Sequence, residues 1–381
     1  MDSETVTVKD LEKINEVHKI ARFYGFRLVN SPKIEKQDFD SIKNLGEYRN
    51  LVEKVALLRI YFDNKFISSP QPVCIYCDRP FPGLKEKKKS NYLEGSLACL
   101  GSTKSICECL CIESALSILN KIGYKNLEIH VNSVGDKESM VEFQKRIVAF
   151  IRKNINDFPT NLRQTLKKDI FAILRENENE CYKECPKSID FLSEQSRNHF
   201  KEVLEFLETT EIPYQVDHKL FSNSDIGTET VFSINSDGEE LAFGFRFSKL
   251  AKKIGYKKDA PGCILDISAH LKKKLKKVKA REFKPQFYLV QFGPEAKLKS
   301  FSVLRELEKT GTNVLHSITK DKLGTQMGAA HNSEALYLLI IGQKEALENT
   351  VMVRNTITHA QTIIPLSQFA NCIKEIIKDG I

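Results

Sequence analysis

The sequence predicts an α+β body followed by a small α/β domain, and three observations support this fold class. The chain has 381 residues, which is more than one ordinary domain holds. Helical and strand patterns follow one another irregularly up to residue 270, but alternate regularly after residue 285. Between Leu271 and Lys284 lie seven lysines and one arginine against a single glutamate. We therefore expect domains at 1–270 and 285–381, joined by a basic linker at 271–284.

The body is predicted from the spacing of its apolar residues. Apolar residues that recur every three or four positions predict helices, and alternation of apolar and polar residues predicts strands. The predicted helices cover 10–26, 50–66, 107–122, 138–174 and 193–209. The predicted strands cover 26–29, 73–76, 127–131, 228–234 and 241–247. The last two strands are joined at Ser236-Asp237-Gly238, a sequence typical of a turn.

The C-terminal part has a regular alternation of elements. Strands are predicted at 287–293, 313–318 and 335–341, with helices at 296–310 and 325–331. Such alternation favours a compact α/β unit with a mainly parallel sheet.

Composition excludes some classes of protein and leaves others open. Mean hydropathy is −0.32, and no uninterrupted run of eighteen apolar residues predicts a membrane-spanning helix. The N-terminal MDSETVTVKDLEKINEV is acidic and polar, unlike a signal peptide, so we expect a cytoplasmic protein. A net charge of +8 permits a polyanionic partner without requiring one.

The ten cysteines are expected to be reduced in that compartment. Cys74 and Cys77 have the CxxC spacing of zinc and redox sites, but no second ligand pair has a matching spacing, so buried strand cysteines are the alternative. The spacing of 107, 109 and 111 does not place all three on one helix face, which favours core positions. Cys181 and Cys185 would need two further ligands. We expect no metal site.

From the residues alone, no catalytic constellation is evident. The chain lacks HExxH, GxGxxG and GxxxxGK[ST]. The basic clusters at 85–89 and 272–281 either bind phosphates or are solvated surface.

Several segments, taken in order, resemble histidyl-tRNA synthetases, which are class II aminoacyl-tRNA synthetases. In the body they are KINEVHKIARFYGFRLVNSPKIE, SSPQPVCIYCDRPF, NKIGYKNLEIHVNSVGD and CPKSIDFLSEQSRNHFKEVLEFLETTEIPYQVD. After residue 287 they are FGPEAKLKSFSVLRELEKTGTNV, LGTQMGAAHNSEALYLLIIG and VMVRNTITHAQTIIPL. The resemblance implies an antiparallel class II sheet, an anticodon-binding-type domain, a tRNA partner and a homodimer formed through the first segment.

The departures from the family occur at its catalytic motifs. Pro82 and Ala269 stand where the family has arginines that grip the α- and γ-phosphates of ATP. Ser222 stands where it has a catalytic arginine, and residues 50–54 align with an amino-acid-binding segment without matching it. Three ligand-pocket residues survive, namely Asp225, Thr230 and Arg246.

These losses predict a catalytically inactive protein without cofactors. Arginine supplies both charge and forked donors to the transition state of adenylate formation. We therefore expect a protein that binds RNA, with tRNA as the expected RNA, or that binds a protein partner. ATP and Mg²⁺ would be needed only if ligase activity remains. The nucleic-acid-binding candidates are Lys87, Lys88, Lys89, Lys272, Lys273, Lys276, Lys277 and Gln326. The alternatives are an active histidine–tRNA ligase, a regulatory subunit like that of ATP phosphoribosyltransferase, and an accessory subunit of a polymerase or another complex.

Overall fold

The structure is a computed structural model that describes residues 13–45, 49–85, 89–167, 169–175, 184–221, 226–276, 278–279 and 284–379. The strands of the body are β1 (Lys13–Ile14), β2 (Arg27–Leu28), β3 (Val73–Asp78), β4 (Tyr92–Leu100), β5 (Glu128–Gly135), β6 (Tyr214–Val216), β7 (Gly227–Ser236), β8 (Glu239–Phe247), β9 (Gly262–His270) and β10 (Val278–Lys279). Its helices are α1 (Glu16–Phe23), α2 (Lys36–Ile42), α3 (Leu51–Asp63), α4 (Ile106–Ile122), α5 (Lys137–Lys153), α6 (Thr160–Leu166), α7 (Glu194–Glu208) and α8 (Leu250–Lys253).

Eight of these strands form one sheet in the order β2-β3-β4-β9-β8-β7-β5-β6. The two edge pairs, β2–β3 and β5–β6, are parallel, and the five pairs between them are antiparallel. β1 and β10 form a separate antiparallel pair. The large antiparallel sheet confirms the fold class expected for the body.

The β7–β8 hairpin confirms the turn predicted at 236–238. Asp237 has a φ of 53° and Gly238 a φ of 82°, so both central residues are left-handed. A turn with two consecutive left-handed residues matches the twist of the paired strands. Glycine adopts the left-handed conformation at the second of these positions without steric cost.

One face of the sheet is covered by α1, α4 and α7. α4 is almost entirely buried and ends at Gly123, whose φ of 114° closes the helix as the sequence predicts. Val17, Ile20 and Ala21 of α1 are buried in the same core. These apolar residues of α1 therefore pack inside the body.

The other face is covered by α3, α5 and the segment that follows α5. The single helix predicted at 138–174 is instead α5, α6 and a 3₁₀ helix at 170–175. Pro159 lies between the first two, and proline has no N–H to continue the hydrogen-bonding of a helix. Phe171 and Phe221 stack here with ring centroids 4.4 Å apart.

The C-terminal domain has a five-stranded sheet in the order β12-β11-β13-β14-β15. Its strands are β11 (Phe287–Gln291), β12 (Val314–His316), β13 (Tyr337–Ile341), β14 (Thr350–Asn355) and β15 (Gln361–Pro365). Its helices are α9 (Pro294–Thr310), α10 (Leu323–Asn332), α11 (Gln343–Glu348) and α12 (Leu366–Asp379). The three strands predicted from sequence are parallel to one another, but β14 and β15, which the sequence analysis did not identify, are antiparallel. The sheet is thus mixed rather than mainly parallel.

Helix α9 joins the two parts of the molecule. The rings of Phe301 in α9 and Phe206 in α7 are 4.7 Å apart, within one core that continues from the body into the C-terminal domain. Arg305 donates to the Glu113 carboxylate at 2.8 Å, and the Tyr24 hydroxyl donates to Glu308 at 2.8 Å. The contact between the two parts is therefore both apolar and ionic.

Across the described ranges, no helix combines the length and the apolar character needed to cross a membrane.

Candidate functional site

Three segments that align with catalytic motifs of the resembled family meet on the α3 side of the sheet. α3 contributes Glu53 and Lys54, the end of β3 is followed by Arg79, and β9 contributes Asp266. Each of these four side chains is at least nine-tenths buried. We call these four residues the ionic cluster.

The ionic cluster is held by short contacts between opposite charges. Lys54 Nζ lies 2.8 Å from Asp266 Oδ2, and Arg79 Nε lies 2.6 Å from Glu53 Oε2. The two pairs are linked, because Arg79 Nη1 is 3.9 Å from Asp266 Oδ2.

Neighbouring polar groups satisfy the remaining oxygens of the two carboxylates. Ser96 donates its hydroxyl to Asp266 Oδ1 at 2.6 Å from the directly opposite position on β4. Asn50 donates to Asp266 Oδ2 at 3.1 Å, and the backbone N–H of Phe81 donates to Glu53 Oε1 at 3.1 Å. The charges of the ionic cluster are therefore neutralised by the protein itself.

Two opposing effects set the pKa values in the ionic cluster: burial favours the neutral form of each group, and pairing with an opposite charge favours the charged form. Burial acts to raise the pKa of Asp266, but Lys54 and Arg79 outweigh it and hold that pKa well below its ordinary value. Burial lowers the pKa of Lys54 despite the attraction of Asp266, and burial raises the pKa of Glu53 despite Arg79. Asp266 is thus the carboxylate on which the cluster depends.

The phosphate-gripping positions themselves are not part of this cluster. Pro82 is exposed, and its carbonyl accepts from the N–H of Ile34 at 2.7 Å. Ala269 is fully buried on the opposite face of the sheet, in the core beneath α4. Ser222 and Asp225 lie outside the described residues.

Arg246, predicted to be a ligand-pocket remnant, is instead bound within the protein. It is 1% exposed, and its Nε lies 2.6 Å from Glu108 Oε1 in α4. Its terminal nitrogens donate to the carbonyls of Ser102 and Lys104 at 2.7 Å. His199 Nε2 also contacts Glu108 Oε1, at 2.7 Å. Because all three guanidinium nitrogens have protein acceptors, Arg246 fastens α4 to the sheet.

Thr230 and Gln326 are likewise interior residues. Thr230 is 1% exposed, and within the described part of the chain its hydroxyl has no hydrogen-bond partner. Gln326 is 0% exposed and exchanges hydrogen bonds with the backbone of Gln291, accepting at 3.0 Å and donating at 2.7 Å. This corrects the prediction that Gln326 contacts nucleic acid, since its amide group holds α10 against β11.

Four of the lysine candidates are exposed at the surface, namely Lys89, Lys272, Lys273 and Lys276. Lys272 Nζ lies 4.0 Å from the centroid of the Tyr124 ring, and Lys89 Nζ lies 5.1 Å from that of Tyr92. Lys87, Lys88 and Lys277 lie outside the described residues.

Eight of the nine described cysteines are buried, and Cys372 is partly exposed. Cys74 faces the core beneath α4 and Cys77 faces the opposite core, so the CxxC sequence does not form a shared site. Within the described ranges, no group of three or more His, Cys, Asp or Glu residues could hold a metal ion. Cys185 is buried, and Cys181 lies outside the described residues.

A cleft of about 940 Å³ lies between the body and the C-terminal domain. Glu194, Glu202 and Glu205 of α7 line it from one side, and Phe292 and Asp321 line it from the other. Its two lysines, Lys104 and Lys297, both contact the carboxylate of Asp321. An acidic lining disfavours phosphate groups, so this cleft is not the place for an RNA backbone.

Sequence signals for the ionic cluster exist but are indirect. Glu53 and Lys54 interrupt an apolar helix, and Asp266 interrupts the apolar run from Cys263 to Ile267. A charge in an apolar strand indicates a buried partner, although the sequence does not show which one.

Comparisons with known proteins agree with this fold. Residues 286–376 match the family described as "Anticodon binding domain". Histidine–tRNA ligase of Bacillus licheniformis is 25% identical over 95% of both chains. That of Listeria innocua serovar 6a is 26% identical over 81% of this chain and 76% of its own. The apo histidyl-tRNA synthetase of S. aureus superposes with a TM-score of 0.52 at 21% identity, covering 93% of each chain.

The antiparallel body therefore has the fold of class II aminoacyl-tRNA synthetases, and it is followed by an anticodon-binding-type domain. Within that class, the chain is histidyl-tRNA synthetase-like over most of its length.

Replacing Asp266 by asparagine should destabilise the protein by about 3–5 kcal/mol, because Lys54 then stays buried without its counter-charge. Urea denaturation of the purified variant measures this. The matched control is Asp40→Asn, which removes a carboxylate paired with Lys43 at the surface and should cost under about 1 kcal/mol. The double variant Asp266→Asn, Lys54→Met should recover part of the loss. Equal stability of Asp266→Asn and wild type would contradict this role of Asp266.

Lowering the pH should destabilise the folded protein through protonation of Glu108. Burial acts to raise the pKa of Glu108, but Arg246 and His199 lower it from 4.5 to about 2. A carboxyl whose pKa is lower in the folded state stabilises the fold above its unfolded pKa, and this stabilisation, on the order of 3 kcal/mol, is lost as the pH falls toward 2. The stability difference between wild type and Glu108→Gln should therefore be largest near neutral pH and shrink below pH 4.5. Glu142→Gln, at an exposed pair with Arg146, is the control and should show little change with pH. A constant difference for Glu108→Gln across this range would contradict the prediction.

Proposed function

We propose that this protein is a catalytically inactive histidyl-tRNA synthetase-like protein that binds tRNA. The observation that carries the proposal is the ionic cluster, in which segments aligned with the family's catalytic motifs are paired with one another. A site that binds ATP must present cations to phosphates. Here Lys54 and Arg79 are buried and already paired with carboxylates.

The substitutions at positions that align with the family's catalytic arginines support the same conclusion. Proline at 82, alanine at 269 and serine at 222 have no charge to offer a pentavalent phosphate. Losing one preorganised donor typically costs about a hundred- to a thousandfold in rate, so losing three should exceed roughly ten-thousandfold. No cofactor is required for the proposed role.

The tRNA part of the proposal depends on the C-terminal domain. Its match to an anticodon-binding family covers residues 286–376, almost the whole domain. The exposed lysines that precede the domain, at 272, 273 and 276, can supply non-specific phosphate contacts. A homodimer, which the resemblance implies, and a cytoplasmic location are part of the proposal. A protein partner is the outcome to consider if RNA binding fails.

The competing function is a diverged but active histidine–tRNA ligase. The names of the relatives at 25–26% identity favour it. Activity and binding are separable, so the two functions can be tested independently.

Histidine-dependent pyrophosphate exchange should be at least ten-thousandfold below that of a functional ligase. The assay uses purified full-length protein, ATP, Mg²⁺ and histidine, with the Bacillus licheniformis ligase as the positive control. Exchange within a hundredfold of that control would falsify the inactive assignment and favour the ligase.

Binding of tRNA should weaken steeply as salt rises, because phosphate contacts release counterions. Replacing Lys272, Lys273, Lys276 and Lys277 by glutamine should reduce affinity at low salt and flatten the dependence of affinity on salt. Gel shifts with total tRNA at a series of salt concentrations measure both quantities.

The matched control for this experiment carries the same change of charge elsewhere. Lys252, Lys253, Lys257 and Lys258 are four exposed lysines around α8 and the loop after it. Their replacement by glutamine should alter binding less than the first set. Equal effects from both sets would show that net charge alone governs tRNA binding. If the wild-type protein does not bind tRNA at all, the result would argue for a protein partner.

A further inference from the structure

Five cysteines from three strands and one helix converge in the core beneath α4. Cys74 on β3 lies directly opposite Cys99 on β4, and Cys99 lies directly opposite Cys263 on β9. Their side chains belong to the same core, so the three thiols form a row across the sheet. All three are free thiols.

Helix α4 adds two more thiols to this row. Cys107 and Cys111 are four residues apart, so unlike Cys109 they share the helix face that meets the sheet. Cys111 Sγ is 3.8 Å from Cys99 Sγ, and Cys107 lies in the same core. The spacing of the three helical cysteines does not place all of them on one face, and it did not by itself predict this pair.

Cys74 Sγ and Cys99 Sγ are 3.1 Å apart, closer than the 3.8 Å between Cys111 Sγ and Cys99 Sγ. Residues directly opposite on antiparallel strands have Cα atoms about 4.5–5.5 Å apart, which lies within the range spanned by disulfides. Forming the bond therefore requires the sulfurs to approach by only about 1 Å, to about 2.05 Å.

We propose that Cys74 and Cys99 are an oxidation site, at which hydrogen peroxide produces an intramolecular disulfide. The Cys74 thiolate attacks peroxide, so that the O–O bond breaks, Cys74 becomes a sulfenic acid and hydroxide leaves. The Cys99 sulfur then attacks the Cys74 sulfur and displaces the hydroxyl group as water. In total, two thiols lose two electrons and two protons, and one peroxide becomes two waters.

Cys74 is the entry point, because it is 8% exposed whereas Cys99 is 0% exposed. The hydrogen bond with Cys99 and the nearby Lys320 ammonium act to lower the pKa of Cys74, but burial together with the neighbouring Cys107 and Cys111 outweighs them and raises it. Since the thiolate is the reactive form, oxidation should be slow at neutral pH and should accelerate as the pH rises. Lys320 belongs to the C-terminal domain and contacts the carbonyl of Gln71, so Cys74 lies beneath the junction of the two parts.

The experiment treats the reduced full-length protein with hydrogen peroxide and counts thiols after denaturation. The count should fall from ten to eight per chain, and peptide mapping by mass spectrometry should place the new disulfide between Cys74 and Cys99. Dithiothreitol should restore all ten thiols. The mapping uses wild-type protein, so the result does not depend on whether a variant folds.

Cys74→Ala and Cys99→Ala should each abolish this disulfide. Cys372→Ala, at a partly exposed position outside the row, is the matched control and should still lose two thiols. A peroxide-treated wild type that retains ten thiols, or that forms its disulfide between other cysteines, would overturn the proposal. So would a metal ion that copurifies with the protein and is released when Cys99 is replaced.

Discussion

The pairing of Lys54 with Asp266 constrains the arrangement of the body more than any other interaction described. Each residue is buried, so neither could keep its charge without the other. Their contact fixes α3 against β9, and Ser96 and Arg79 extend it to β4 and the end of β3. One carboxylate thereby determines the relative positions of a helix and three strands.

A similar pairing occurs on the opposite face of the same sheet. Arg246 and Glu108 fasten α4 to β8, as Lys54 and Asp266 fasten α3 to β9. Both arrangements bury charged groups that could otherwise bind anionic ligands. Side chains with the chemistry of a binding site therefore serve the fold here, which is why the resemblance alone misplaced Arg246 in a ligand pocket.

The sequence predicted the elements that depend on local pattern. The periodicity of α4, the helix over 193–209 that corresponds to α7, and the Asp237-Gly238 turn are all encoded within a few neighbouring residues. It did not predict β14 and β15. β14 pairs antiparallel with β13, and β15 pairs antiparallel with β14, so their place in the sheet depends on a neighbouring strand rather than on their own composition. Nor could it predict that Gln326 is buried. The contact between Asp266 and Lys54 could not be predicted either, because these residues are 212 positions apart and only the fold brings them together.

The apolar core that continues through Phe206 and Phe301 has a consequence for how this chain can be divided. The C-terminal domain is joined to the body by a short lysine-rich segment, but Phe301, Val303, Leu304 and Leu307 bury themselves in the core that the body also uses. Cutting the chain at the segment would expose apolar surface on both fragments, including the α7 side of the body. Each fragment would then be prone to self-association. The two sequence domains thus share an apolar core, and separating them would require redesign of the surface left behind on each.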